Sequence, residues 1–158
     1  MMRTASILLA GMIASAVLAD TKLINVVDFG AKGDGITDDT KAIQAAFDKA
    51  TVNGWHGGTE VLFPYGVYLV TDELNVKGIA VRGQGYATLL QKNKDKDIFH
   101  PQNSWRLTIA GLSFVGGKNQ ISFGNTNIDT GFLQVIDCRF KESSGWAIET
   151  RHGTYSTV

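Results

Sequence analysis

The sequence predicts an all-β solenoid, a stack of short coils preceded by one amphipathic helix. Three observations predict it. A gap-free repeat relates LTIAGLSFVGG, starting at Leu107, to LQVIDCRFKES, starting at Leu133. Beyond Gly58 the chain reads as short β-type runs, and its 18 Gly against 2 Pro suit tight turns between strands. One segment alone carries a sustained helical period.

The repeat has an offset of 26 residues, the length of a single solenoid coil. Leu107 matches Leu133, Ile109 matches Val135, Gly111 matches Asp137, Leu112 matches Cys138 and Phe114 matches Phe140. Ile79, Val81 and Gly83 form a weaker third copy, and ISF at Ile121 and AIE at Ala147 hold equivalent places. One coil cannot bury its own apolar face, so stacking must set Leu on Leu, Ile on Val and Phe on Phe. Gly111 and Asp137 then fall at a corner between two strands, where both residue types visit the left-handed backbone at low cost. Thr108, Ser113, Gln134 and Arg139 alternate with the inward positions and are expected to face outward.

Ahead of the coils, KLINVVDFGAKGDG gives a short strand and a glycine-rich loop. Ile43, Ala46, Phe47 and Ala50 recur at helical spacing and predict a helix from Asp39 to Thr51. Thr37, Asp38 and Asp39 offer oxygens to its free amides, and Asn53 and Gly54 supply its stop. The runs TEVLF, GVYLV, ELNVK and IAVRG read as strands. A stack has open ends with unpaired edges. The helix is placed to cap the first coil, and without a matching cap after the last one the sequence reads as truncated at its carboxyl end.

The first residues, MMRTASILLAGMIASAVLAD, join Arg3 to an apolar stretch from Ile7 to Leu18 with small residues at its end. That is the pattern of a secretory signal, with Val17 and Ala19 set for a cut after Ala19. The stretch is shorter than the roughly 20 residues that span a bilayer, although an uncleaved membrane helix or a buried helix competes with this reading. A secreted or periplasmic protein is expected, free of the membrane after cleavage. The chain divides into a signal at 1–19, a strand, loop and capping helix at 20–58, and the first, incomplete coils at 59–158. Its formal net charge is zero, so no basic field favours nucleic acid. Cys138, the one cysteine, makes no internal disulfide and reads as a small buried hydrophobe.

The segment VVDFGAKGDGITDDTKAIQAAFDKA, from Val26 to Ala50, closely resembles the opening motif of the pectate-lyase superfamily. GTEVLFPYGVYLV and IAVRGQGYATLL resemble its next coils, so the likeness covers nearly the whole chain after the signal. The resemblance implies a single-stranded right-handed parallel β-helix. It also implies the amino-terminal part of a secreted polysaccharide-active enzyme, lyase or glycoside hydrolase, with its catalytic coils beyond residue 158 and no activity in this segment alone. The alternative is a non-catalytic glycan-binding module, tailspike-like or adhesin-like. The implied partner is a polysaccharide, uronate-containing ones included.

Many chemistries share this architecture, so the site must carry the functional argument. Asp28, Asp34, Asp38 and Asp39 look like a carboxylate cluster, yet capping and turn chemistry explain them, and no glutamate completes an EF-hand spacing. His56 reads as a loop residue and His100, before Pro101, as a turn residue. His152 in RHGTYS and NTNID, from Asn125 to Asp129, fall short of the polygalacturonase motifs they approach. The sequence assigns no catalytic residue. Asp137 and Arg139 are the candidates to follow, with no cofactor site and no metal ligand expected, and calcium entering only if the whole protein is a lyase.

Overall fold

The structure is a computed structural model that describes residues 22–51, 59–101, 106–123, 131–150 and 155–157. Strand β1 (Lys22–Asn25) leads into a 3-10 turn at Val26–Phe29, strand β2 (Asp34–Asp38) and helix α1 (Thr40–Thr51). There follow β3 (Thr59–Phe63), β4 (Val67–Val70), β5 (Ala80–Gln91), β6 (Arg106–Gly116), β7 (Ile121–Phe123), β8 (Phe132–Ile136), β9 (Arg139–Lys141), β10 (Ile148–Thr150) and β11 (Tyr155–Thr157). Every pairing among these strands is parallel. Among the described residues no helix is long and apolar enough to cross a membrane. The proposed signal at 1–19 lies outside the described residues, as do Asn53 and Gly54.

One sheet runs β1-β3-β5-β6-β8-β11. Strands β5 and β6 are long because each bends at a corner and continues in a second direction. The first half of β5 pairs with β3 and its second half with β4, while β6 pairs first with β8 and then with β9. The register is the one the repeat requires: Leu107 lies beside Leu133, Ile109 beside Val135, and Phe114 beside Phe140. A separate pair, β7 with β10, sets Ile121 beside Ile148, and single bridges extend that column through Phe99 to Leu74.

Alternation then sorts the side chains. Ile24, Val61, Val81, Ile109 and Val135 form one buried column across five strands. A chain of rings crosses the interior: Phe47 meets Phe63 at 6.1 Å and Phe99 at 5.7 Å between ring centres, Phe99 meets Phe114 at 5.1 Å, and Phe114 stacks on Phe140 at 5.3 Å. At the corners Tyr86, Gly111 and Asp137 are left-handed, with φ of 59°, 65° and 48°. Adjacent corners touch, since a Cβ built on Gly83 would meet the Gly111 carbonyl oxygen of the next strand.

Helix α1 buries Ile43, Ala46, Phe47 and Ala50, the face its sequence period marks out, and packs on the 3-10 turn, β1 and β3. Three local expectations need correction. The helix starts at Thr40, and of the three predicted capping side chains only that of Asp38 serves it, accepting the Thr40 amide at 3.0 Å. Asp39 turns its buried carboxylate to the loop instead, accepting the amides of Lys32 at 2.7 Å and Gly33 at 3.0 Å. Those two amides lie in a glycine loop with no strand partner for them, so the carboxylate closes the loop against the helix. ELNVK forms no strand; Leu74 alone bridges, to Phe99. Ser113 points outward yet is buried, because other side chains cover that face.

Tyr68 ties the same region together. Its ring is buried against Phe63, its hydroxyl donates to the Pro64 carbonyl at 2.9 Å, and burial, followed by the nearby Asp39 charge, pushes its phenol from 10.0 up to about 12. The unfolded chain therefore gives up this proton first. Stability from Tyr68 is full below pH 10 and is lost as pH rises toward 12. Denaturant midpoints followed into this alkaline range are expected to fall more steeply for the wild-type protein than for Tyr68→Phe, which starts about 1 kcal/mol less stable at neutral pH for its lost hydrogen bond. Parallel slopes would show that Tyr68 ionises as freely in the fold as outside it.

Candidate functional site

The two sequence candidates, Asp137 and Arg139, meet through a third residue. Tyr86, at the left-handed corner of β5, donates its hydroxyl to Asp137 Oδ1 at 2.7 Å. The Arg139 guanidinium carbon sits 3.5 Å from the centre of the same ring, well inside cation–π range. The phenol thus holds a carboxylate at its rim and a cation on its face. Tyr86 and Asp137 are 51 residues apart, which is why no spacing motif marks the pair. The column of corners is the signal that finds it, once Gly83, Gly111 and Asp137 are stacked in register.

Beside Arg139 lies a groove of about 250 Å³, lined by Tyr65, Tyr86, Thr88, Ser113, Arg139 and Lys141 among others. Thr88 pairs with Ser113 and Ser113 with Arg139, so the floor crosses three strands along the stacking direction. Tyr65 stands at the rim, 82% exposed. The walls offer two cations, two phenol rings and two hydroxyls, which suits an extended, hydroxyl-rich ligand carrying negative charge. No carboxylate lines the groove among the described residues, and Asp137 is engaged by Tyr86. Hydrolysis by paired carboxylates, one acid and one activating water, needs two of them flanking the scissile bond.

The remaining sequence candidates separate. Asp34 accepts the amides of Ile36 and Thr37 and the Thr37 hydroxyl, bonds that hold its pKa below the ordinary value. For Asp38, partial burial raises the pKa, but the Thr40 hydroxyl and amide and the Thr71 hydroxyl outweigh it and the net shift is down. Asp34 serves its own turn, and Asp38 ties the helix start to Thr71. Burial pushes the Cys138 thiol up, away from the thiolate that reactivity requires. His56, His152 and the stretch Asn125–Asp129 lie outside the described residues.

A second polar group was silent in the sequence. Glu73, Asp97 and His100 bring one ligand-type atom each to within 4.8 Å of one another. His100 Nδ1 is 3.1 Å from Asp97 Oδ2 and 3.9 Å from Glu73 Oε2. The bridge from Leu74 to Phe99 sets Glu73 beside Asp97 and His100. Calcium, which takes six to eight oxygens, is a poor match for a set containing an imidazole nitrogen.

Residues 23–98 match the family described as Rhamnogalacturonase A/epimerase, pectate lyase-like. A probable glucan endo-1,3-beta-glucosidase of Arthroderma benhamiae is 45% identical over 74 residues, which cover 46% of this chain and 8% of that protein. Alginate lyase 7 of Azotobacter vinelandii is 52% identical over 64 residues, 39% of this chain and 7% of that one. Among solved structures, the A-module of the mannuronan C-5 epimerase AlgE4 of Azotobacter vinelandii superimposes with a TM-score of 0.60 at 22% identity, covering 82% of this chain and 41% of the other. The chain therefore spans less than a tenth of these two curated relatives and under half of the matched module. The chain thus resembles the pectate-lyase-like family over residues 23–98 and shares its parallel-strand fold with the epimerase module.

Proposed function

We propose that the chain is the amino-terminal part of a secreted polysaccharide-active protein and that its groove at Tyr86 and Arg139 binds an acidic, uronate-containing glycan. In this reading the parallel sheet forms the first coils of a right-handed β-helix, α1 covers their amino-terminal end, and residues 1–19 are removed after Ala19. Bond cleavage belongs to other coils of a lyase or glycoside hydrolase, with residues 20–58 and 59–158 serving as cap and binding coils. The observation that carries the proposal is the groove itself: Arg139, held over Tyr86, and Lys141 flank its floor, with exposed Tyr65 as a stacking surface at the rim. The kinds of relative, a glucanase and an alginate lyase, agree with a polysaccharide ligand. The absence of a carboxylate lining the groove, among the described residues, favours a binding role for these coils over a catalytic one.

The test is binding of the purified chain to alginate and polygalacturonate, with neutral β-1,3-glucan as comparison. Arg139→Ala combined with Lys141→Ala is expected to weaken polyuronate binding roughly tenfold or more, consistent with the loss of charge-assisted hydrogen bonds of about 1.5–3 kcal/mol, and added salt is expected to weaken it in the parent. Equal affinity for glucan and polyuronate, unmoved by the double substitution, would overturn the assignment of ligand and groove.

A further inference from the structure

We propose that Glu73, Asp97 and His100 form a divalent transition-metal site of the zinc class, independent of the groove. Each carboxylate commits one oxygen to a backbone amide and turns the other toward His100. Asp97 gives Oδ1 to the Asn119 amide at 3.0 Å and turns Oδ2 to His100 Nδ1. Glu73 gives Oε1 to the Asp97 amide at 3.2 Å and turns Oε2 toward the same nitrogen. Two backbone amides thus fix the two side chains, and the oxygens left over converge on one imidazole. The imidazole is itself fixed through its backbone, since the His100 amide donates to the Leu74 carbonyl at 2.9 Å.

Around a tetrahedral ion with ligands at 2.0–2.2 Å, neighbouring ligand atoms stand roughly 3.4 Å apart. The nitrogen–oxygen separations here, 3.1 and 3.9 Å, bracket that value. A neutral imidazole offers a single Nδ1 hydrogen and cannot donate it to both carboxylates along good lines. An ion bonded to Nδ1 and to both oxygens resolves the convergence and neutralises a carboxylate whose side chain is only 8% exposed. Among the described residues, the neighbouring Lys96 is paired with Asp72. Glu73 and His100 are each about one-third exposed, which leaves an entry path and a position for water on the solvent side. One nitrogen with two carboxylates is a donor set for zinc and its neighbours, and too small and too soft for calcium.

The experiment is calorimetric titration of the purified, metal-stripped chain with Zn2+, repeated with Ca2+. One Zn2+ per chain is expected, with a raised thermal midpoint and no comparable response to Ca2+. Glu73→Gln keeps an acceptor for the Asp97 amide while removing the second charge, so the fold is retained and Zn2+ affinity falls roughly tenfold or more, on the scale of lost ligand support. His100→Ala abolishes the binding, and the chain with both His56→Ala and His152→Ala retains it. Absence of saturable Zn2+ binding, binding unchanged in Glu73→Gln and His100→Ala, or a stronger response to Ca2+ would each overturn the site. None of these readouts involves a glycan, so the groove and the metal site stand or fall separately.

Discussion

Phe114→Ala is expected to destabilise the fold by about 3–5 kcal/mol, the loss typical of a large buried ring. The side chain is fully buried, meets Phe99 edge-on and lies flat on Phe140. Its removal takes the stacked ring from Phe140 and leaves Phe99 with Phe47, and the strands cannot close the gap because their spacing is fixed by hydrogen bonds to the strands on either side. The residual cavity adds to the lost burial for that reason. Urea denaturation reads the effect as a lower midpoint at an unchanged slope. A midpoint near that of the parent would mean that the ring column contributes little to holding successive strands together.

Gly83→Ala is expected to cost about 1–3 kcal/mol or more, although it adds a single methyl group. The new Cβ would sit against the Gly111 carbonyl oxygen and 2.7 Å from Leu112 Cδ2. The first of these is backbone, and it belongs to a strand held in register by the β5–β6 ladder. Relief therefore requires the two corners to separate, which strains the pairings on either side. Arg82→Ala is the control from the preceding position. It removes an exposed ion pair with Glu60 and is expected to change stability by less than about 1 kcal/mol. Equal midpoints for the two variants would sink the argument that the corners pack backbone to backbone.

The fold was legible wherever stacking makes neighbours alike. Leu107, Ile109 and Phe114 repeat as Leu133, Val135 and Phe140 because each pair occupies one column, and interior space of one shape selects side chains of one shape. The helical period of α1 was legible for the same reason, since its buried face is set by a single surface. Polar contacts follow no such rule. Asp39 was open to sequence reasoning as a helix cap, but two loop amides with no other partner drew its carboxylate away. Ser113 has the alternation of an exposed residue and lacks the exposure, since the groove side chains lie over it. The candidate sites were least legible of all. Tyr86 reaches Asp137 across 51 residues and Glu73 reaches Asp97 across 24, so their separations are set by the connections between parallel strands and by no local period.

The position of Phe47 has a consequence for how the molecule opens. Its ring touches both Phe63 and Phe99, so α1 is joined directly to β3 and to the bridge residue between Leu74 and Ile121. A stack whose members met only their nearest neighbours could fray from this end one strand at a time. Here lifting the helix uncovers Phe63 and Phe99 at once. Its amides, those of β3 and those flanking Phe99 are therefore expected to exchange as one cooperative unit, with an opening free energy set by the whole group rather than by the helix alone.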